Sequence, residues 1–201
     1  MNMSVDIKKM LPFMEDEEIA ELFKKIIESE NSEFKGIKLN RIAPFASEEV
    51  VSKAFIEAIK KGKDYVSLAP FVDDDVWEEV IKLLKEGYKI NLPPLYPFME
   101  DDSLQEIYKM VESGELKDVN ISSLYPFIDD DYLDEVFLKQ VKEGKDYVGM
   151  APFVSEECLH KIAEEYINGD TMIDINCLYP FMDSDDIKMI FKHAMEKDDI
   201  E

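Results

Sequence analysis

LYPFMEDD, residues 95–102, sets an aromatic residue, a proline, a phenylalanine and a cluster of acids side by side. Variants of this phrase recur at Pro12/Phe13, Pro44/Phe45, Pro70/Phe71, Pro97/Phe98, Pro126/Phe127, Pro152/Phe153 and Pro180/Phe181. Successive prolines keep a near-constant period of roughly 26 to 32 residues, which marks supersecondary units laid in a row.

The residues after each proline read as the start of a helix. Three positions on stand Glu15, Ser47, Asp73, Glu100, Asp129, Ser155 and Asp183, mostly types whose side-chain oxygen accepts the unpaired N–H groups of a first turn. Five positions on, every unit is acidic: Glu17, Glu49, Asp75, Asp102, Asp131, Glu157 and Asp185. Negative charge there complements the helix dipole. Apolar residues then recur seven, ten and eleven positions past the proline, as in Trp77, Val80 and Ile81 or Leu133, Val136 and Phe137, which is one face of an α-helix. Gly62, Gly87, Gly114, Gly144 and Gly169 follow as stops that can take the left-handed conformation, with Lys60, Lys61 and Lys142 near the negative pole.

Upstream of the proline a second, shorter helix is expected. Six residues before it stand Asp6, Lys38, Asp64, Asn91, Asn120, Asp146 and Asp174, six of them N-cap types. The pairs Val5/Met10, Ile37/Ile42, Ile90/Leu95, Val119/Leu124 and Ile173/Leu178 have the spacing of a hydrophobic staple. Pro93 and Pro94 fall in a first turn, where a missing N–H costs little. The phrase thus reads as a helix-to-helix elbow: a helix of about two turns ends or bends at the proline, the phenylalanine and its apolar successor plug the corner, and the acids cap a long helix.

A larger period lies above this one. Pro44 and Pro126, Pro70 and Pro152, and Pro97 and Pro180 are matched at nearly one spacing, about 82 residues, as a duplicated block of repeats would be. KKGKDYVSLAPFV and KEGKDYVGMAPFV nearly coincide, as do PFMEDEE, PFMEDDS and PFMDSDD. The expected fold is all-α: a solenoid of about seven two-helix repeats of ~28 residues, beginning near residues 5, 37, 63, 90, 119, 145 and 173, in one domain over 1–201, with a duplicated three-unit block. The layout is similar to other α-solenoids of short two-helix units. It lacks the tetratricopeptide spacing of about 34 with its Trp, Gly, Tyr and Ala positions, and the TPLH phrase of ankyrin units.

Composition narrows the function. With 46 acidic against 23 basic residues, the formal charge is −23 over 201 residues. That argues against direct nucleic-acid binding, which rests on Lys and Arg displacing counterions, and against anionic membranes. No apolar run reaches the length of a spanning helix, and the first residues lack a secretory signal. The two cysteines, Cys158 and Cys177, read as reduced core thiols. A cytoplasmic protein is expected, and a monomer closed at its ends by MNMSVDIKKM and FKHAMEKDDIE.

The acids supply the candidate site. In a stack of parallel units Glu48, Asp74, Asp75, Asp101, Asp102, Asp130, Asp131, Glu156 and Glu157 would line one edge as a docking surface for a basic partner, although capping and the helix dipole already account for acids at such positions. Other chemistry finds thinner support. His160 and Glu164 share a helical face near Cys158, but no second histidine joins them as a metal ligand. Asp183, Asp185 and Asp186 resemble the opening of a calcium loop, yet DSDDIKMIFKHA has neither the glycine at position six nor the glutamate at twelve. Cys158 and His160 point to different helix faces, and no phosphate-binding glycine loop exists. Tyr65, Tyr147, Tyr96, Tyr125 and Tyr179, together with the methionines, read as packing.

The expected function is therefore a non-catalytic scaffold, without cofactor or metal, binding a protein or peptide. The alternatives are an acidic mimic of nucleic acid that occupies a basic DNA-binding protein, then a calcium-binding protein or an enzyme.

Overall fold

The computed structural model describes residues 6–31, 33–171 and 173–197. Val5, the first residues of the N-terminal segment and the last of the C-terminal one lie outside them. The protein is all-helical, with no strand among the described residues beyond a single bridge between Phe34 and Ile37.

Each of the seven Pro-Phe pairs is followed by a long helix. These are α2 (Asp16–Glu28), α4 (Glu48–Lys61), α5 (Val76–Lys85), α6 (Asp101–Glu112), α7 (Asp130–Glu143), α8 (Glu156–Asn168) and α9 (Ser184–Lys197). Single α-turns, α1 (Ile7–Met10) and α3 (Leu39–Ile42), precede the first two pairs. All five expected glycine stops have positive φ, from 64° at Gly62 to 89° at Gly87. At Gly62 the next residue, Lys63, donates its N–H to Ala58 at 2.8 Å, and Lys145 repeats this to Gln140 at 3.0 Å. That bond closes a Schellman motif and satisfies a carbonyl the helix end leaves open.

The elbow differs from its expected form in three respects. Proline does not end the short helix; it lies within a last 3-10 turn that runs on to the phenylalanine, as in Leu11–Phe13, Ala43–Phe45 and Tyr96–Phe98. Its missing N–H falls where a turn leaves one unpaired. The helix stops one residue later, where Met14, Ala46, Val72, Met99, Ile128, Val154 and Met182 take extended backbone. The short helices are mostly 3-10 pieces of three to six residues instead of two α-turns. Before Tyr96 only a turn forms, closed by Leu95 N–H to Leu92 at 2.7 Å, because Pro93 and Pro94 together remove two donors and bias the residues before them from the α region.

The third correction concerns the plug. None of the seven phenylalanines is buried, and Phe13 is 87% exposed. The corner is filled by the residues before the proline: Ile42 and Ala43, Leu68 and Ala69, Leu95 and Tyr96, Leu124 and Tyr125, Met150 and Ala151. Side chains alternate along extended chain, so where Met99 and Ile128 turn inward the preceding Phe98 and Phe127 face out.

The described residues form two compact units, divided inside α6 between Ser103 and Leu104. In the first, α2 packs on α4 and α4 on α5. Phe23, Val51, Phe55, Trp77 and Val80 fill the core, and the rings of Phe55 and Trp77 meet edge-to-face at 5.7 Å. Such a ring contact adds about 0.5–1.5 kcal/mol to the burial itself. In the second, α7 packs on α8 and α8 on α9, around Leu133, Phe137, Ile162, Leu178 and Ile190.

Candidate functional site

The acids that follow each proline divide into two sets. Three of those standing three positions on serve as caps: Asp73 accepts from Val76 N–H at 3.1 Å, Asp129 from Asp131 and Tyr132, and Asp183 from Asp185 and Asp186. Ser155 caps Cys158 N–H at 3.0 Å. These backbone donors hold the Asp183 carboxyl below its ordinary range. Most acids four and five positions on differ, although Asp16 holds Ser47 N–H, Glu49 pairs with Lys53 and Asp185 with Lys188. Asp74, Asp75, Asp101, Asp102, Asp130, Asp131, Glu156 and Glu157 are exposed, and among the described residues their carboxylates enter no hydrogen bond or ion pair. Capping therefore does not consume them.

Beside these carboxylates stand the outward phenylalanines. Phe45, Phe98 and Phe127 are 41%, 40% and 37% exposed, within a few residues of free acids in the chain. The sequence pattern places them in the core; the signal against that placement is that the two residues before Pro44, Pro97 and Pro126 already occupy the inward positions.

A second recurrent feature has no signature in the sequence alone. Eight positions past the proline, one polar side chain reaches from its helix to the start of the next. Ser52 Oγ accepts the N–H of Asp73 at 2.9 Å, and Asp134 Oδ1 accepts that of Ser155 at 2.8 Å, while the Ser155 hydroxyl donates to the other Asp134 oxygen. The two contacts are offset by the same stretch of sequence, with serine and aspartate exchanged. His160, at the same register, bonds the buried Asp186, and that bond raises its pKa. In α2 the position is Ala20, and Asp16 holds Ser47 N–H at 3.0 Å instead. The bond to Ser47 lowers the Asp16 pKa.

The tyrosines behave as packing with a polar end. Tyr65 meets Phe55 edge-to-face at 5.9 Å and its hydroxyl accepts the N–H of Asn91 at 2.7 Å. Tyr147 meets Phe137 at 5.9 Å, with its hydroxyl 3.9 Å from Cys177 Sγ, and burial pushes its pKa up to about 12. Tyr96 and Tyr125 are buried, whereas Tyr179 is exposed.

The remaining chemical candidates are occupied structurally. His160 Nε2 lies 3.6 Å from Glu164, on an exposed face. Cys158 is buried and its thiol is pushed up to about 12 by that burial, with Asp134 beside it, so it is held as a neutral thiol. Asp185 pairs with Lys188 at 2.8 Å, Asp183 caps its helix and Asp186 bonds His160, so the three acids that resemble a calcium loop are engaged separately. No group of three metal-ligating side chains converges among the described residues, and no helix there is long and apolar enough to cross a membrane. No family model, curated protein or solved structure matches the chain.

Proposed function

We propose that the protein is a non-catalytic scaffold: seven short two-helix units laid in a row, presenting acids at the starts of their long helices to a protein or peptide partner that carries basic side chains. The observation that carries this reading is the set of eight carboxylates without a hydrogen-bond or ion-pair partner among the described residues, Asp74, Asp75, Asp101, Asp102, Asp130, Asp131, Glu156 and Glu157, although capping acids stand beside several of them. Exposed phenylalanines nearby offer apolar area that a purely solvating charge cluster would lack. The unit-by-unit reading draws on contacts that recur at matching places in the duplicated block: Ser52 with Asp73 against Asp134 with Ser155, and Phe55 with Tyr65 against Phe137 with Tyr147.

The test is capture of partners from a native lysate by the protein and by a variant with the six aspartates changed to Asn and the two glutamates to Gln. Loss of specific partners from the variant is the expected result; an unchanged set overturns the reading. The same free carboxylates also suit a nucleic-acid mimic. That alternative requires the captured partner to be a DNA-binding protein, displaced by duplex DNA and by moderate salt.

A further inference from the structure

The gap between α2 and α4 forms an open groove of about 540 Å³, within the size range that holds ligands. Two alanines account for it. Ala20 occupies the register where Ser52, Asp134 and His160 reach across to a neighbouring helix, and an alanine cannot span that distance. Ala54 lies ten positions past its proline, where the other units carry Leu22, Val80, Ile107, Val136, Ile162 and Ile190. Phe23, Ile27 and Val50 complete an apolar floor.

The charges around this floor are unbalanced. Five carboxylates line the groove against two lysines, Lys24 and Lys53. Lys53 is already paired with Glu49 at 2.6 Å, and Glu57 with Lys61 at 3.7 Å along their own helix. Glu17 and Glu28 have no ion pair among the described residues, and they stand at opposite ends of α2. Eleven residues of helix separate them by about 16 Å. The neighbouring groove between α4 and α5 differs, since Lys60 and Glu79 approach to 3.9 Å across it.

The geometry points to the α2–α4 groove as a docking site for a basic amphipathic helix of a partner protein, about three turns long, with apolar side chains over Ala20 and Ala54 and a Lys or Arg near each end. Helix-in-groove recognition uses this combination of an apolar floor and terminal charge. The inference rests on the scaffold reading and names one partner chemistry for it, at residues separate from the eight edge acids.

The probe is a synthetic peptide of about 14 residues, long enough for three full turns and frayed ends, with a leucine face and lysines in its first and last turns. A control peptide carries glutamates in place of the lysines. Binding to the full chain is followed by calorimetry, with backbone amide shifts mapping the site. The lysine peptide is expected to shift amides of α2 and α4, and to bind at least about tenfold more tightly than the control. Ala20 is solvent-facing, so Ala20→Phe fills the groove without entering the core; it should weaken binding at least about tenfold. The double change Glu17→Gln and Glu28→Gln, which alters no packing, should weaken binding and flatten its salt dependence. Equal binding by either variant, equal binding of the control peptide, or shifts spread over the acid edges would overturn the proposal. If Ala20→Phe is silent while the eight-acid variant loses its lysate partners, the groove falls and the scaffold stands; the reverse result removes the acid edge alone.

Discussion

At the scale of single residues, the most informative contact is the one whose two members exchange places. Ser52 receives the N–H of Asp73 and Asp134 receives that of Ser155, so each pair keeps one hydroxyl and one carboxylate whichever helix supplies them. Ser52→Asp alone would set a second carboxylate against Asp73 near the core, and Asp73→Ser alone would set hydroxyl against hydroxyl and give Val76 N–H a neutral acceptor in place of a charged one. The double change restores the arrangement seen at Asp134 and Ser155. Each single variant should lose about 1–2 kcal/mol in urea denaturation, and the double variant should recover by at least about 1 kcal/mol relative to additivity. His160 extends the same register with a titratable group. Its bond to Asp186 raises its pKa, while Glu164 and Asp183 add charge in the same sense. A group raised in the folded state stabilises fully below its ordinary value, about 6.5, and that contribution is lost as pH rises through the raised value. The melting-temperature advantage of the native protein over His160→Asn should therefore shrink between pH 6 and pH 9, roughly, and an advantage constant across that range would remove the ion pair as its source.

At the scale of elements, start and stop signals were largely legible because they are local. A positive-φ glycine ends a helix through its own backbone, and Gly62 and Gly144 have φ of 64° and 65° with nothing within 4 Å of an added methyl group. Alanine at either place meets no clash and carries only the left-handed penalty, about 1–2 kcal/mol. Gly62→Ala and Gly144→Ala should consequently cost the same, to within about 0.5 kcal/mol, by chemical denaturation; clearly unequal losses would mean that the two helix ends are not equivalent. The elbow was legible only in outline. That a turn must fall near Pro97 follows from the missing donor, but whether Phe98 or Leu95 fills it depends on which residues the neighbouring helices cover. An apolar residue next to an apolar residue gives no periodicity to decide between them. The reach of Ser52, Asp134 and His160 was hidden for the converse reason: a polar residue at one helical position reads as solvent-facing until its neighbour is known. The eight free acids and their capping neighbours likewise share a residue type, and only the hydrogen bonds separate Asp73 and Asp129 from Asp74 and Asp130.

At the scale of the whole molecule, 46 acidic residues face 23 basic ones, and among the described residues the eight edge acids enter no ion pair. Two effects of salt then oppose each other. Screening weakens the favourable interaction of first-turn acids with helix dipoles, which is about 0.3–1 kcal/mol for each exposed group at low ionic strength. It also weakens repulsion among carboxylates, and this acts between every pair within a screening length. At about 0.01 M salt that length is roughly 30 Å, and at about 0.15 M it falls to roughly 8 Å. Dipole interactions are confined to one turn and to one helix each, whereas at the lower salt each acid feels the carboxylates of several helices. Repulsion therefore outweighs the dipole attraction at a net charge of −23. Raising sodium chloride from about 0.01 to 0.15 M should raise the melting temperature at neutral pH, and the rise should be smaller for a variant with the eight edge acids changed to Asn or Gln. A native protein whose melting temperature falls over the same range would show that the attraction of those acids to their helix dipoles outweighs their mutual repulsion.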